Sequence, residues 1–498
     1  MNIAVTKPPM SERLAAFVRR EHKLLINGKW VAPQSGARFD VFNPADGRQI
    51  AQAAEAGAPE VDAAVRAARD AFETGAWARM TPVDRGKAVW RLADLIEQHA
   101  DELAEIEALD CGKPVSYARQ FDLTFSVELL RYMAGWSTKI MGSAIPTSLP
   151  GNWHCYTMRE PVGVCGQIVP WNFPIMMAVW KLAPALAAGC TVVLKPAEQT
   201  PLGALRLGEL IQEAGIPDGV VNILTGDGRV GAALVEHKGV DKIAFTGSTE
   251  VGRLIMRNAA PDLKKVSLEL GGKSPAMVFP DADLDLTAAG IANGIFFNSG
   301  QCCTASSRIF AHRKIFDKLM DGLAREAEKA QIGPGLLPDT TLGPLISDEQ
   351  FQKVNGYLES GVSEGAELVT GGERWGNEGY FVKPTVFANT TDSMRIMREE
   401  IFGPVVCATP FDDEDLDQLA AMANDTEYGL GASVWTRDIG TAHQLARKIK
   451  AGTVWINSHL PNDVALPFGG YKQSGFGREM GYEAIELYTQ VKTVAANL

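Results

Sequence analysis

Cysteine is scarce in this chain: seven in 498 residues, an odd number, with no disulfide-like spacing and no C-x-x-C pair. A disulfide-stapled protein is therefore excluded, and a reducing, cytoplasmic compartment is expected. The histidines are few and scattered, so no metal site is expected. No run of about 18 apolar residues is present, so no membrane span is expected. The segment Met1 to Arg20, with Pro8, Pro9, Ser11, Glu12 and Arg13, lacks the apolar core of a secretion signal. Positive charge is also in deficit. The formal net charge of −12 repels phosphate and argues against nucleic acid as a partner.

What is present is ordinary for a globular protein, with 46% hydrophobic and 22% charged residues. The length exceeds one small core, so two or three domains are expected. Helical and strand patterns alternate, which predicts a mainly parallel sheet flanked by helices. Val61, Ala64, Val65, Ala68 and Phe72 share one helical face, and Pro59 suits the helix start. Thr191 to Leu194 and Lys242 to Thr246 read as buried strands. Trp153 to Arg159 and Val491 to Leu498 read as extended edge segments that need a pairing partner, such as a second subunit.

Two glycine patterns compete for a phosphate. Gly226-Asp227-Gly228-Arg229-Val230-Gly231 spells G-x-G-x-x-G, but Asp227 would oppose phosphate, and the loop also reads as a helix cap. Gly247-Ser248-Thr249-Glu250-Val251-Gly252 joins a strand to a helix whose free N–H groups suit a phosphate, or simply a capping turn. Lys195-Pro196-Ala197-Glu198 follows a strand, where a carboxylate can accept from both ribose hydroxyls and repel a 2′-phosphate; it also reads as a surface ion pair.

The strongest chemical signal is Phe296-Phe297-Asn298-Ser299-Gly300-Gln301-Cys302-Cys303-Thr304, a loosened loop before two thiols. Upstream, Leu268-Glu269-Leu270-Gly271-Gly272-Lys273 offers a carboxylate. A thiol nucleophile and a carboxylate base are what covalent acyl transfer requires. A buried thiol pair and a structural ion pair are the alternatives.

Together these segments resemble the aldehyde dehydrogenase superfamily, from Leu25-Ile26-Asn27-Gly28-Lys29-Trp30 to Val491-Lys492-Thr493-Val494. The motifs stand in the family's order: Pro170-Trp171-Asn172-Phe173-Pro174, the Lys195 and Phe245-Thr246-Gly247-Ser248 segments, the Glu269 and cysteine loops, Glu399-Glu400-Ile401-Phe402-Gly403-Pro404, and Pro467-Phe468-Gly469-Gly470-Tyr471-Lys472-Gln473-Ser474-Gly475. The resemblance implies an α/β fold with a Rossmann-like NAD domain (1–140 and 160–270), an α/β catalytic domain (271–470) and a β oligomerisation arm (141–159 and 471–498). It implies a homodimer or homotetramer.

The resemblance also implies roles. Cys303, in Gly-Gln-x-Cys, would be the nucleophile, Glu269 the base and Asn172 an oxyanion donor, with Lys181 and Glu479 as a proton relay. Lys195 and Glu198 would bind the adenosine ribose of NAD, Gly247 and Ser248 its pyrophosphate, and Glu400 its nicotinamide ribose, with Phe402 beside the ring. Ile168, Pro170, Trp171, Gly228 and Gly252 complete the cofactor set. A non-catalytic protein on the same scaffold and a CoA-acylating relative are the other readings; intact Cys303 and Asn172 argue against the first, and Glu269 against both. Leu130-Arg131-Tyr132-Met133-Ala134-Gly135-Trp136 and Val454-Trp455-Ile456-Asn457-Ser458-His459 resemble bacterial phenylacetaldehyde dehydrogenases within the family. That implies an aldehyde tunnel lined by Phe173, Met177, Trp180, Cys302 and Phe468, for arylacetaldehydes such as phenylacetaldehyde or indole-3-acetaldehyde. Medium-chain aliphatic aldehydes are the alternative.

Overall fold

The computed structural model describes residues 8–412 and 415–498; the first seven residues of the expected 1–140 segment lie outside the described residues. Two large sheets organise the chain. The first has five parallel strands at its centre: Lys265–Glu269, Lys242–Thr246, Val164–Ile168, Thr191–Lys195 and Val221–Ile223, in that order. Antiparallel strands close its edges, Gly475–Phe476 on one side, and Leu24–Ile26 with Lys29–Val31 on the other. Val164–Ile168 and Thr191–Lys195 are buried along their whole length. That burial explains why these runs are continuous rather than alternating: helices cover both faces of a parallel sheet.

One of those helices, Pro174–Ala188, is buried on every side, which matches its apolar composition around the full circumference. The amphipathic Ala58–Glu73 packs Val61, Ala64, Val65 and Ala68 inward. At its N-terminus the Glu60 carboxylate accepts from the Gly57 N–H at 2.8 Å, the reciprocal bond of a capping box, and from the Gln34 N–H of a neighbouring loop at 2.8 Å.

The second sheet runs Glu367–Thr370, Thr385–Ala388, Val405–Phe411, Arg308–His312, Pro275–Val278, Gly431–Trp435 and Thr453–Ile456, parallel except at its first strand. The two edge segments find each other: Trp153–Pro161 pairs antiparallel with Thr489–Asn497, Thr489 opposite Pro161 and Asn497 opposite Trp153. Within the expected arm segment 471–498, Gly475–Phe476 instead pairs with Leu268 and Glu269 of the first sheet. Among the described residues no helix is long and apolar enough to cross a membrane.

Candidate active site

A cavity of about 580 Å³ opens where the C-terminal ends of the first sheet's strands face the second sheet's loops. Ligands favour this end of an open α/β sheet. Its wall contains Cys302, Cys303, Glu269, Asn172, Glu479, Pro170, Trp171, Phe173, Met177, Trp180, Gly247, Ser248, Glu400, Phe402 and Phe468. Lys181, Ile168, Lys195, Glu198, Gly228 and Gly252 lie outside that wall.

The cysteine loop follows the helix Leu284–Phe296. Three successive residues then take the left-handed backbone region: Asn298 (φ 49°), Ser299 (φ 56°) and Gly300 (φ 73°). For non-glycine residues this costs about 1–3 kcal/mol each. A β-carbon on Gly300 would also lie 2.0 Å from the Gly403 carbonyl oxygen, so only glycine fits. Side chains hold the strained turn: Ser299 Oγ donates to the Gly343 carbonyl at 2.7 Å, and Gln301 Nε2 to the Asn298 carbonyl at 3.2 Å. The Ile346 N–H donates to Gln301 Oε1 at 2.9 Å. Asn298 Nδ2 donates to the Asn172 carbonyl at 2.9 Å, and Asn172 Nδ2 to the Gln301 carbonyl at 3.0 Å. Asn172 and the thiol loop are thus cross-tied, and one N–H of the Asn172 amide remains for another acceptor.

Of the two thiols, Cys302 is buried and Cys303 is partly exposed. They titrate together. The Cys302 thiol is lowered to about 7, chiefly because the Cys303 thiol donates to its sulfur, while Cys303 is raised well above the thiol range by that same bond and by burial. The pair therefore holds one thiolate at moderate pH, a property of both sulfurs rather than one.

Glu269 ends the strand Lys265–Glu269. Burial, and then the Glu479 carboxyl, push its carboxyl well above the ordinary carboxylate range, against Lys181 and Arg478. Its Oε2 is buried without a partner among the described residues. Glu479 is pinned by two backbone hydrogen bonds of 2.7 Å with Phe468, and its side chain pairs closely with the fully buried Lys181 Nζ.

At the other end of the cavity Glu400 Oε1 accepts the Gly272 N–H at 2.8 Å, and burial raises its carboxyl. Phe402, at φ 57°, meets Trp171 edge to face at 5.3 Å. Gln350 Nε2 donates to the Phe402 carbonyl at 2.8 Å and holds that turn. Ser248 caps the helix Thr249–Ala259, its Oγ accepting from the Val251 N–H at 3.3 Å. Lys195 stands opposite Ile168 at its strand end, with Nζ 3.1 Å from Glu198 Oε2. The rival glycine motif is a capped helix start: Asp227 Oδ1 accepts from the Arg229 N–H at 2.8 Å. Gly228 faces open space, and a β-carbon on Gly252 would strike Leu270.

The end of the cavity around Phe173, Trp180 and Phe468 is more aromatic than the motifs indicate. Tyr117, Phe121, Phe125 and Phe297 line it, with Thr304, His459 and Leu460. The rings form a chain: Tyr117–Phe297 5.5 Å, Phe297–Phe121 5.2 Å, Phe121–Phe125 6.2 Å, Phe125–Trp180 5.8 Å and Trp180–Phe468 5.3 Å. The segment Ala118–Leu123 is π-helical, a rare turn type that is frequent at functional sites. The spacing of Tyr117, Phe121 and Phe125, four residues apart, was the available signal. His459 Nε2–H donates to the Thr304 carbonyl at 2.7 Å, and burial lowers this imidazole to about 4, so it is neutral.

Residues 30–494 match the Aldehyde dehydrogenase family. The chain is 49% identical to aldehyde dehydrogenase 1A1 of Gallus gallus over 500 residues, covering 100% of this chain and 97% of that protein. An aldehyde dehydrogenase from Bacillus cereus, solved as its NAD+ complex, superposes with a TM-score of 0.96 at 50% identity, covering 99% of this chain and 100% of that one. The indole-3-acetaldehyde dehydrogenase AldA of P. syringae, solved with NAD+ and IAA, superposes with a TM-score of 0.95 at 42% identity, covering 98% and 99%.

Proposed function

The chain belongs to the aldehyde dehydrogenase family, and from that membership we propose that its substrates are arylacetaldehydes of the phenylacetaldehyde or indole-3-acetaldehyde kind. It is an NAD-dependent aldehyde dehydrogenase. The observation that carries the substrate reading is the ring chain from Tyr117 to Phe468 beside Cys303. Aromatic walls bury flat apolar groups well.

The residues fit NAD. The Thr246 hydroxyl is buried without a partner among the described residues, beside Gly247 and Ser248 in the same wall as Glu400 and Phe402. Lys195 and Glu198 would hold the adenosine ribose, Gly247 and Ser248 the pyrophosphate, Glu400 the second ribose, and Phe402 the nicotinamide side. Ile168, Pro170, Trp171, Gly228 and Gly252 would shape the remaining surface. When bound, NAD supplies the hydride acceptor.

Cys303, the more exposed thiol, passes its proton to the Cys302 thiolate it is hydrogen-bonded to and attacks the aldehyde carbon as the thiolate, forming a C–S bond. The carbonyl oxygen becomes an oxyanion, accepting from the free Asn172 amide N–H and the Cys303 N–H. Loss of the aldehydic hydrogen as hydride leaves a thioester on Cys303. Glu269 then takes a proton from the water that attacks this thioester; the C–S bond breaks and the acid departs. The Glu479–Lys181 pair behind Glu269 carries that proton away. In the same reading the first sheet is the nucleotide-binding unit, the second the catalytic unit, and the Trp153–Pro161/Thr489–Asn497 ribbon a self-association element, giving a homodimer or homotetramer.

A kcat/KM panel tests the substrate. Burying a phenyl group rather than a methyl contributes about 2 kcal/mol, or about thirtyfold in kcat/KM. Arylacetaldehydes should exceed acetaldehyde by that factor, with no CoA requirement. A profile favouring betaine aldehyde or hexanal would overturn the substrate reading, and a CoA requirement would overturn hydrolysis.

A further inference from the structure

We propose that Lys113 is a positioning residue for the aldehyde pocket, acting through the Phe173 ring; the inference rests on the reading of this cavity as the aldehyde site. Lys113 does not line the cavity, and its charge makes a minor contribution to lowering the Cys302 thiol. Its side chain is fully buried, and so are those of its partners. Glu107 Oε1 lies 3.2 Å from its Nζ, and Asp122 Oδ2 pairs closely with the same nitrogen. That nitrogen stands 4.0 Å from the centroid of the Phe173 ring. Phe173 directly follows Asn172, lines the cavity, and stacks on Phe297 at 6.0 Å with 23° between the planes.

Two physical arguments connect these facts. First, a buried ion triad is a poor way to stabilise a core, because desolvation cancels most of the attraction; its attested use is to specify geometry. Second, a desolvated ammonium over a ring face is attracted to it more strongly than an exposed one. The carboxylates fix the ammonium, the ammonium fixes one face of Phe173, and Phe297 stacks beside it. The wall therefore cannot tilt away when a flat substrate enters. A loose wall would misplace the carbonyl relative to the thiol, and misplacement by about 1 Å costs up to about a hundredfold.

The test is a double-mutant cycle. Lys113→Met should lower kcat/KM for phenylacetaldehyde about tenfold, through kcat as well as KM, and that for acetaldehyde, which is too short to reach the ring, less than about threefold. In a Phe173→Leu background the same substitution should have almost no further effect on either aldehyde, because the ring it acts through is gone. An equal loss in both backgrounds, or for both aldehydes, would overturn the proposal. If Lys113→Met fails to fold by circular dichroism, the charge-balanced Lys113→Met/Asp122→Asn takes its place in the cycle. Failure of both to fold would assign Lys113 to the fold alone and also overturn the proposal. Run with hexanal, the cycle still reads the coupling, so a wild-type preference for aliphatic aldehydes would sink the arylacetaldehyde reading without deciding this one.

Discussion

A β-carbon on Gly272 would lie 2.1 Å from the carbonyl oxygen of Cys303. The Glu269 strand end and the cysteine loop, remote in sequence, therefore press backbone to backbone. The preceding Gly271 is also crowded, by a side chain: a β-carbon there would lie 2.5 Å from Glu400 Oε2. The glycine pair is what lets the Glu269 carboxylate, the Cys303 thiol and the Glu400 carboxylate share one wall.

Gly272→Ala should push the Cys303 backbone aside. Overpacking of this kind costs about 1–3 kcal/mol of stability, and displaced reacting atoms cost about a hundredfold in kcat. Stopped-flow NADH formation with a thermal melt would check both. Wild-type kcat in Gly272→Ala would contradict the close packing.

Cys303→Ala should abolish aldehyde oxidation while NAD still binds, as read by NAD titration. Cys302→Ala should keep most activity, and Cys303 should form its thiolate at lower pH than in wild type, because the neighbouring sulfur that raises it is gone; the pH profile of iodoacetamide alkylation reads this shift. If Cys302→Ala were the inactive variant, the nucleophile would be the other thiol.

Glu269 is raised, so its basic form accumulates only as pH climbs past the ordinary carboxylate range. Steady-state turnover limited by thioester hydrolysis should therefore rise with pH through that raised value. Glu269→Gln should flatten the profile and give an NADH burst followed by turnover about a hundredfold slower. The stability sign is the reverse. A raised folded pKa contributes stability that is present below the unfolded pKa and is lost as pH rises through the folded one. Glu269→Gln stays neutral, so its Tm should gain on wild type as pH rises; a constant Tm difference would refute the shift.

NAD should be preferred over NADP, because Glu198 would face the 2′-phosphate with like charge. Glu198→Gln should narrow the kcat/KM ratio, mainly through KM for NADP, while Lys195 stays in place. Equal efficiencies with both cofactors in the wild type would remove Glu198 from the ribose.

Much of this molecule was legible without coordinates. The buried strands Thr191–Lys195 and Lys242–Thr246 announce themselves because the middle of a strand covered on both faces is apolar at successive positions, here Val192 to Leu194 and Ile243 to Phe245. The edge segments around Trp153 and Val491 were legible as needing a partner, but not that they pair with each other, because a ladder's register depends on both strands at once. The two glycine motifs could not be separated by spelling. Both helix starts are capped by their own side chains, Asp227 and Ser248; their difference is that Gly247 and Ser248 line the cavity and residues 226–231 do not.

The sequence by itself determined the family, through ordered short motifs, and the residue types able to act: a thiol pair, a carboxylate and an amide. Those are local chemistry, carried by side chains whatever surrounds them. Only the tertiary structure decided that Glu269 sits buried beside Glu479, that one thiol is covered and its neighbour partly open, and that Tyr117, Phe121, Phe125 and Phe297 join Phe173 in one wall. A pKa is set by burial and neighbouring charge, and a pocket by surfaces from distant segments. Both are properties of the folded arrangement, which no single stretch of chain contains.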